Sequence, residues 1–302
     1  MITLRRDSWE LVLAPEIGGA IAALSVGGRD LLRRAPAGSS DVLEMACFPL
    51  APFANRIAHG RFSFGGREVS LAPNMGDHPH PLHGQGWQAP WSVDEQDANR
   101  VVLGFSHPGG DWPWAYDAVQ RFELADGRLT VELTVTNRAS EPAPVGLGLH
   151  PYFPNRAEAR LTADLAGVWL TDTLCLPIRR VDGLPLGDWR AGAVLQNAEL
   201  VDHSHTGWTG AAEIELPGQG LRVRMTTSPN ARWLHVYSPP GQTFFAVEPV
   251  THRPDALNAK DPAAEGLQVL EPGASCRLSM TLEAEPVRAA ANSSRLTMGE
   301  AR

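Results

Sequence analysis

The stretch FFAVEPVTHRPDALN places Glu248 after residues 243–247, which read as a buried strand, and just before Pro249. A carboxyl group at the end of an apolar strand is desolvated, and its pKa rises toward the working range of a general base. The competing structural reading is a buried ion pair with Arg253 or Arg56, with the tail from Thr251 to Asn258 as a polar cap supporting the glutamate. In PVGLGLHPYFPN, His150 ends a glycine-spaced apolar run (Val145, Leu147, Leu149) and opens a turn held by Pro151 and Pro154. An imidazole there can take or release a proton near neutral pH. A structural histidine bonding a turn carbonyl would read the same way. Glu248 and His150 are the candidate catalytic residues.

Other side chains suit binding rather than proton transfer. In PLAPFANRIAHGRF, Asn55 and Arg56 interrupt a small and apolar run. Arg56 is either an exposed strand residue or a guanidinium aimed inward, where its planar fork suits paired oxygen acceptors. The segment GDHPHPLHGQGW carries His78, His80 and His83 within six positions. A metal site would take the i, i+2 pair from one strand face. Pro79 and Pro81 each remove a ladder donor, and no Asp or Glu follows at a spacing that completes a ligand set, so no metal is expected. The LHGQGW part differs: its glycines let backbone approach a ligand closely, and Trp87 offers a flat face to stack on a sugar or a base. His78 and His80 are expected as loop residues at a cleft rim. In LVDHSHTGWTG, Asp202 reads as a loop aspartate, usable as a hydroxyl acceptor or as a turn cap.

These residues need a scaffold, and its clearest period is two. Leu129, Val131, Leu133 and Val135 alternate with Thr130, Glu132, Thr134 and Thr136, as in a half-buried antiparallel strand. The same alternation runs through Cys276, Leu278, Met280 and Leu282, and through Trp9, Leu11 and Leu13. EIELPGQGLRVRM reads as a hairpin about Pro217-Gly218-Gln219-Gly220, and Gly65-Gly66 joins RFSF to REVSL in another. With 29 glycines and 25 prolines, long helices have little room. The expectation is an all-β sandwich or barrel forming one domain over residues 1–286, with a polar tail at 287–302.

The net charge of −8 offers no basic footprint for nucleic acid and argues against an anionic membrane surface. No stretch approaches the roughly 18 apolar residues of a membrane span. The N-terminal residues lack the apolar core of a signal peptide, and Cys47, Cys175 and Cys276 form no C-x-x-C pair. A cytoplasmic protein with reduced thiols is expected.

Four motifs in order, N-R-I-x-x-G-x-F, L-H-G-x-G, G-L-x-x-H-P-Y-F and E-P-x-T-x-x-P-D-A-x-N, resemble those of the aldose 1-epimerases (galactose mutarotases) across residues 9–285. The resemblance implies a large antiparallel β-supersandwich with few short helices and a sugar cleft on one face. It implies no metal or organic cofactor and a small-molecule sugar as partner; a monomer or homodimer is expected. By resemblance, Glu248 is the general base at the anomeric hydroxyl and His150 the general acid at the ring oxygen. His83 holds a hydroxyl or the ring oxygen, and Arg56 and Asp202 bind substrate. Asn55, Trp87 and His235 complete the expected substrate contacts. His235 departs from the family pattern, standing where many members carry glutamine in an L-Q-x-Y-T strand. The substrate implied is a free hexose or pentose, with C6-modified sugars left open. Two other classes use the same residues: a non-catalytic sugar-binding sandwich, and a cupin-type metal enzyme on His78, His80 and His83. A glycoside hydrolase fits less well, since it needs two carboxylates and only Glu248 is well placed, with Asp202 second.

Overall fold

A computed structural model describes residues 1–154, 156–196 and 199–287. The period-two segments become strands in register. Arg128–Asn137 lies between Tyr116–Ala125 and Ser275–Pro286, with Leu129 opposite Leu282, Val131 opposite Met280 and Leu133 opposite Leu278. Residues directly opposite share a face, so the apolar rows of these strands coincide and turn to one side. They form the centre of a nine-stranded antiparallel sheet running from Ala193–Val194 to Ser92–Gln96. Both expected hairpins are present: Ala211–Leu216 with Leu221–Thr227, and Arg61–Phe64 with Arg67–Ser70.

A second, eight-stranded sheet packs against it. Its order begins Pro177–Asp182, Gly167–Thr171, Val201–Thr206, Trp233–Ser238, Phe245–Val250 and continues through Gly148–Leu149 to Pro49–Leu50. Leu234, Val236, Phe245 and Val247 face the first sheet and share its core with Leu129, Leu133 and Leu278. Alternate residues point the other way, toward a smaller apolar cluster of Phe48, Trp87, Tyr152 and Trp233. A one-residue slip in either strand would exchange these faces, so burial on both sides fixes the register.

The short helices are single 3-10 turns such as Pro217–Gln219 and Ala256–Asn258, with no α-helix among the described residues. No helix among them is long and apolar enough to cross a membrane. Two local expectations are corrected. Glu248 lies inside the strand Phe245–Val250 rather than after one, because residues 243–244 precede the ladder. Asp202 sits in the strand Val201–Thr206, not in a loop. The tail expected at 287–302 lies outside the described residues beyond Val287.

Candidate active site

Register brings the polar residues together. His235 is directly opposite Glu248, and Asp202 is opposite Tyr237 on the next strand. All four therefore share the face of the second sheet that points away from the main core. His150 occupies the two-residue break between Gly148–Leu149 and Tyr152–Phe153, which both pair with the Glu248 strand. Its backbone N–H is held by the Phe48 carbonyl at 3.0 Å. Asn55, Arg56, His83, His150, Asp202, His235 and Glu248 line one pocket of about 270 Å³. Phe48, Tyr152, Tyr237 and Phe244 supply its aromatic walls.

At the base of the pocket, His150 Nε2 lies 3.2 Å from Glu248 Oε1. Both side chains are almost fully buried, and Glu248 Oε2 and His150 Nδ1 have no hydrogen-bond partner. Burial raises the Glu248 carboxyl to about 8, against the opposing pull of the His235 charge. Burial also lowers His150 to about 3, with His235 adding to the effect. Around neutral pH these shifts leave the pair one proton, resting on Glu248, with His150 neutral. The imidazole ring stacks on Phe48 at 4.7 Å and leans on Tyr152 at 4.4 Å, so its orientation is set by packing.

Beside this pair runs a charged row. Arg56 Nη2 donates to Asp202 Oδ2 at 3.0 Å, and His235 Nε2 lies 2.7 Å from Asp202 Oδ1. Burial penalises the Asp202 anion, but Arg56 and His235 together outweigh that cost and hold its pKa well below the usual carboxylate range. Burial likewise opposes charge on His235, yet Glu248 and Asp202 raise its pKa above the ordinary histidine value. His235 thus holds a proton more readily than an ordinary histidine, where a glutamine would not titrate, and its Nδ1 is buried without a partner.

Next to this row, with Asn55 Nδ2 3.3 Å from His235 Nε2, Asn55 and His83 lock one another. The Asn55 N–H donates to His83 Nδ1 at 3.0 Å, and the His83 N–H donates to the Asn55 carbonyl at 3.0 Å. Because Nδ1 accepts, the neutral ring carries its proton on Nε2 and offers a donor. Burial, with His150 and Arg56 nearby, keeps His83 well below its ordinary pKa, and so neutral. Both residues have positive φ, 58° for Asn55 and 61° for His83, a strained conformation for non-glycine side chains that the mutual bonds maintain. Gly84 follows because a Cβ there would run into the Ala51 carbonyl.

Several expectations are corrected here. Trp87 does not line the pocket: it is 1% exposed, with Nε1 donating to the Leu82 carbonyl at 3.1 Å and its ring packed on Phe48 and His83. It supports His83 from behind. His80 is fully buried rather than at a rim, its Nδ1 accepting the His59 N–H at 3.0 Å. Among the described residues, no group of three or more His, Cys, Asp or Glu side chains is placed to hold a metal ion. Glu248 pairs with His150, while Arg253 faces Glu265 at 3.1 Å. The segment after Glu248 pins the Arg56 segment instead of capping the glutamate. His252 Nε2 accepts the Ala54 N–H, and Asp255 Oδ1 accepts the Ala58 N–H. Gly146 leaves room for the His252 ring, which a Cβ there would strike. The aromatic walls were missed from the sequence. Tyr237 was within reach, two residues from His235 on one strand face, whereas nothing local marks Phe48 or Phe244.

The aldose 1-epimerase family model matches residues 1–283. The uncharacterized Escherichia coli K12 protein YphB is 35% identical over 292 residues, spanning 94% of this chain and 98% of its own length. An E. coli K12 crystal structure described as that of a candidate aldose 1-epimerase is similar with a TM-score of 0.87 at 34% identity, covering 94% of this chain and 98% of that one. A galactose mutarotase-like protein from Clostridium acetobutylicum shares the fold, with a TM-score of 0.82 at 19% identity over 94% of each chain.

Proposed function

The chain belongs to the aldose 1-epimerase family, and we propose that it interconverts the α and β anomers of a free aldose by acid–base-catalysed ring opening and reclosure. The observation that carries this reading is the buried His150–Glu248 pair, 3.2 Å apart, with Glu248 Oε2 unpartnered in the pocket. The anomeric hydroxyl oxygen and the ring oxygen are bonded to the same carbon, so adjacent acid and base groups can serve one each. The pair's one proton first passes from Glu248 to His150 across their 3.2 Å contact; Glu248 then takes the proton from the anomeric hydroxyl while His150 delivers its own to the ring oxygen, and the ring opens to the aldehyde. Rotation about C1–C2 presents the other carbonyl face, and the same groups with exchanged roles close the ring. The pair begins and ends each turnover with one proton.

His83 Nε2–H, Arg56 and His235 are the donors that hold the sugar hydroxyls, and Asp202 orients Arg56 and His235. The three cysteines are unpaired, which supports a reducing compartment such as the cytoplasm. Polarimetry and NMR exchange on fresh anomers of galactose, glucose, arabinose and fucose, run beside calorimetry, test the reading. Sugar binding without accelerated exchange would instead support a sugar-sensing protein.

Two variants probe the pocket walls. His83→Asn retains an acceptor for the Asn55 N–H and tolerates positive φ, but lacks the Nε2 donor. Its KM is expected to rise about tenfold, the worth of one hydrogen bond to substrate, with kcat changed less. An unchanged KM in steady-state kinetics would remove His83 from substrate binding. His235→Gln removes the charge that lowers the Glu248 pKa. The alkaline fall in kcat, near pH 8 in the wild type, is therefore expected at higher pH in the variant. A pH–rate profile whose alkaline limb moves down or stays fixed would contradict that electrostatic role.

A further inference from the structure

The His78-to-Leu82 segment runs antiparallel to the Arg56 segment. Arg56 and Leu82 form a bridge, the Ile57 N–H donates to the Pro81 carbonyl at 3.3 Å, and His80 Nδ1 holds the His59 N–H. This brings His78, half-buried, against the edge of the Arg56 guanidinium that faces away from Asp202. Arg56 Nε lies 3.4 Å from His78 Nε2, while Nη1 donates to Asn55 Oδ1 at 3.2 Å and both Nη groups reach Asp202.

The geometry points to His78 as a positioning residue for Arg56: a neutral imidazole that accepts the Arg56 Nε–H through Nε2 and donates Nδ1–H to the His80 carbonyl. Arginine has five N–H donors and cannot act as an acceptor. With Nε on His78, Nη1 on Asn55 and Asp202, and one N–H of Nη2 on Asp202, a single N–H is left for a sugar hydroxyl. The bond to His78 is the one that fixes the Nε edge. This role rests on the anomer-exchange reading only for its effect on KM.

The ring has a choice of tautomer, and magnitudes decide it. The His80 carbonyl lies 3.3 Å from His78 Nδ1, and the His80 N–H lies 3.2 Å from the same atom. An imidazole that accepted from the amide would turn an Nε2–H against the arginine. A hydrogen bond from a charged donor is about twice as strong as one from a neutral amide, so the arginine takes the lone pair. Protonated His78 would have no lone pair for Arg56 and would add a second positive charge beside it. The charged and titratable groups facing His78 are Arg56, Asp202 and His80, with His59 beyond His80. Burial and Arg56 hold the His78 pKa below the ordinary histidine value, against the His80 backbone and Asp202. Sugar affinity is thus expected to weaken as the pH falls through the His78 pKa, with kcat less affected.

The test combines a spectroscopic reading with two variants of the full chain. Imidazole ¹⁵N NMR of the wild type is expected to show the Nδ1–H tautomer at His78, the opposite of the form favoured in water. His78→Leu is expected to raise both the calorimetric Kd and KM for the best sugar about tenfold, with kcat within about twofold. His78→Gln, which keeps an acceptor, is expected to restore both within about threefold and to abolish the acid weakening. An Nε2–H tautomer, a wild-type Kd in His78→Leu, or equal losses in both variants would overturn the assignment. If the wild type binds sugar without accelerating exchange, the catalytic reading fails, while the Kd values and the tautomer still decide the role of His78.

Discussion

Glu248→Gln is expected to lower kcat for anomer exchange by on the order of 10³-fold, with KM within a fewfold of wild type. Glutamine matches the shape of the carboxyl group and still reaches His150, but it cannot take the anomeric proton. The loss should therefore fall on the transition state rather than on binding. The variant should also be no less stable than the wild type, for a reason that can be followed through its protons. Burial raises the Glu248 carboxyl from 4.5 to about 8. Between those values the folded state holds a proton that the unfolded chain releases, so wild-type stability declines as the pH rises across that window. Glutamine has no such dependence. Thermal unfolding at several pH values is expected to show the variant gaining on the wild type from about pH 5 to pH 8. A Tm deficit that widens with pH, or a kcat near wild type, would contradict the account.

His150→Gln is the second large effect, with kcat expected to fall by about 10²–10³-fold. The amide can donate to the ring oxygen but cannot transfer a proton, so ring opening loses its acid while the sugar remains held. Because the two residues share one proton, their effects should not add: the double variant is expected within about tenfold of Glu248→Gln alone. The wild-type pH profile follows from the same coupling. Activity needs one proton on the pair, so it is lost above about pH 8 as that proton leaves, and at acid pH as His150, lowered to about 3, takes up a second. Multiplicative losses in the double variant would show that the two groups act independently.

Much of this was legible in the chain itself. The strands were visible because one face of each is buried, and burial on one face writes a period of two into the residues. Glu248 and His150 stood out because each interrupts such a row with a group that water would otherwise claim. The rest depends on which rows meet. Asp202 sits among polar residues in LVDHSHTGWTG, with no apolar alternation to mark a strand, and only its pairing with Tyr237 carries it to the site. That the His235 pKa is raised follows from two carboxyl groups on other strands, which no local pattern contains. Trp87 shows the limit from the other side. Its type suits a sugar platform, but only packing decides whether a ring faces ligand or core, and Phe48 and His83 cover it. The histidines of GDHPHPLHGQGW were dense enough to suggest a metal, yet His80 holds a neighbouring backbone, His78 touches Arg56 and His83 faces the pocket.

The central claim is that the buried Glu248–His150 pair opens and recloses a free sugar ring. Its most direct test is two-dimensional NMR exchange between the α and β signals of a ¹³C1-labelled aldose in H₂¹⁸O, with wild-type protein at neutral pH. The account predicts anomer exchange orders of magnitude above buffer, abolished in Glu248→Gln, with no ¹⁸O entering at C1 faster than in buffer alone, because the anomeric oxygen never leaves the carbon. Exchange at the buffer rate across the sugar panel, or acceleration that persists in Glu248→Gln, would contradict it.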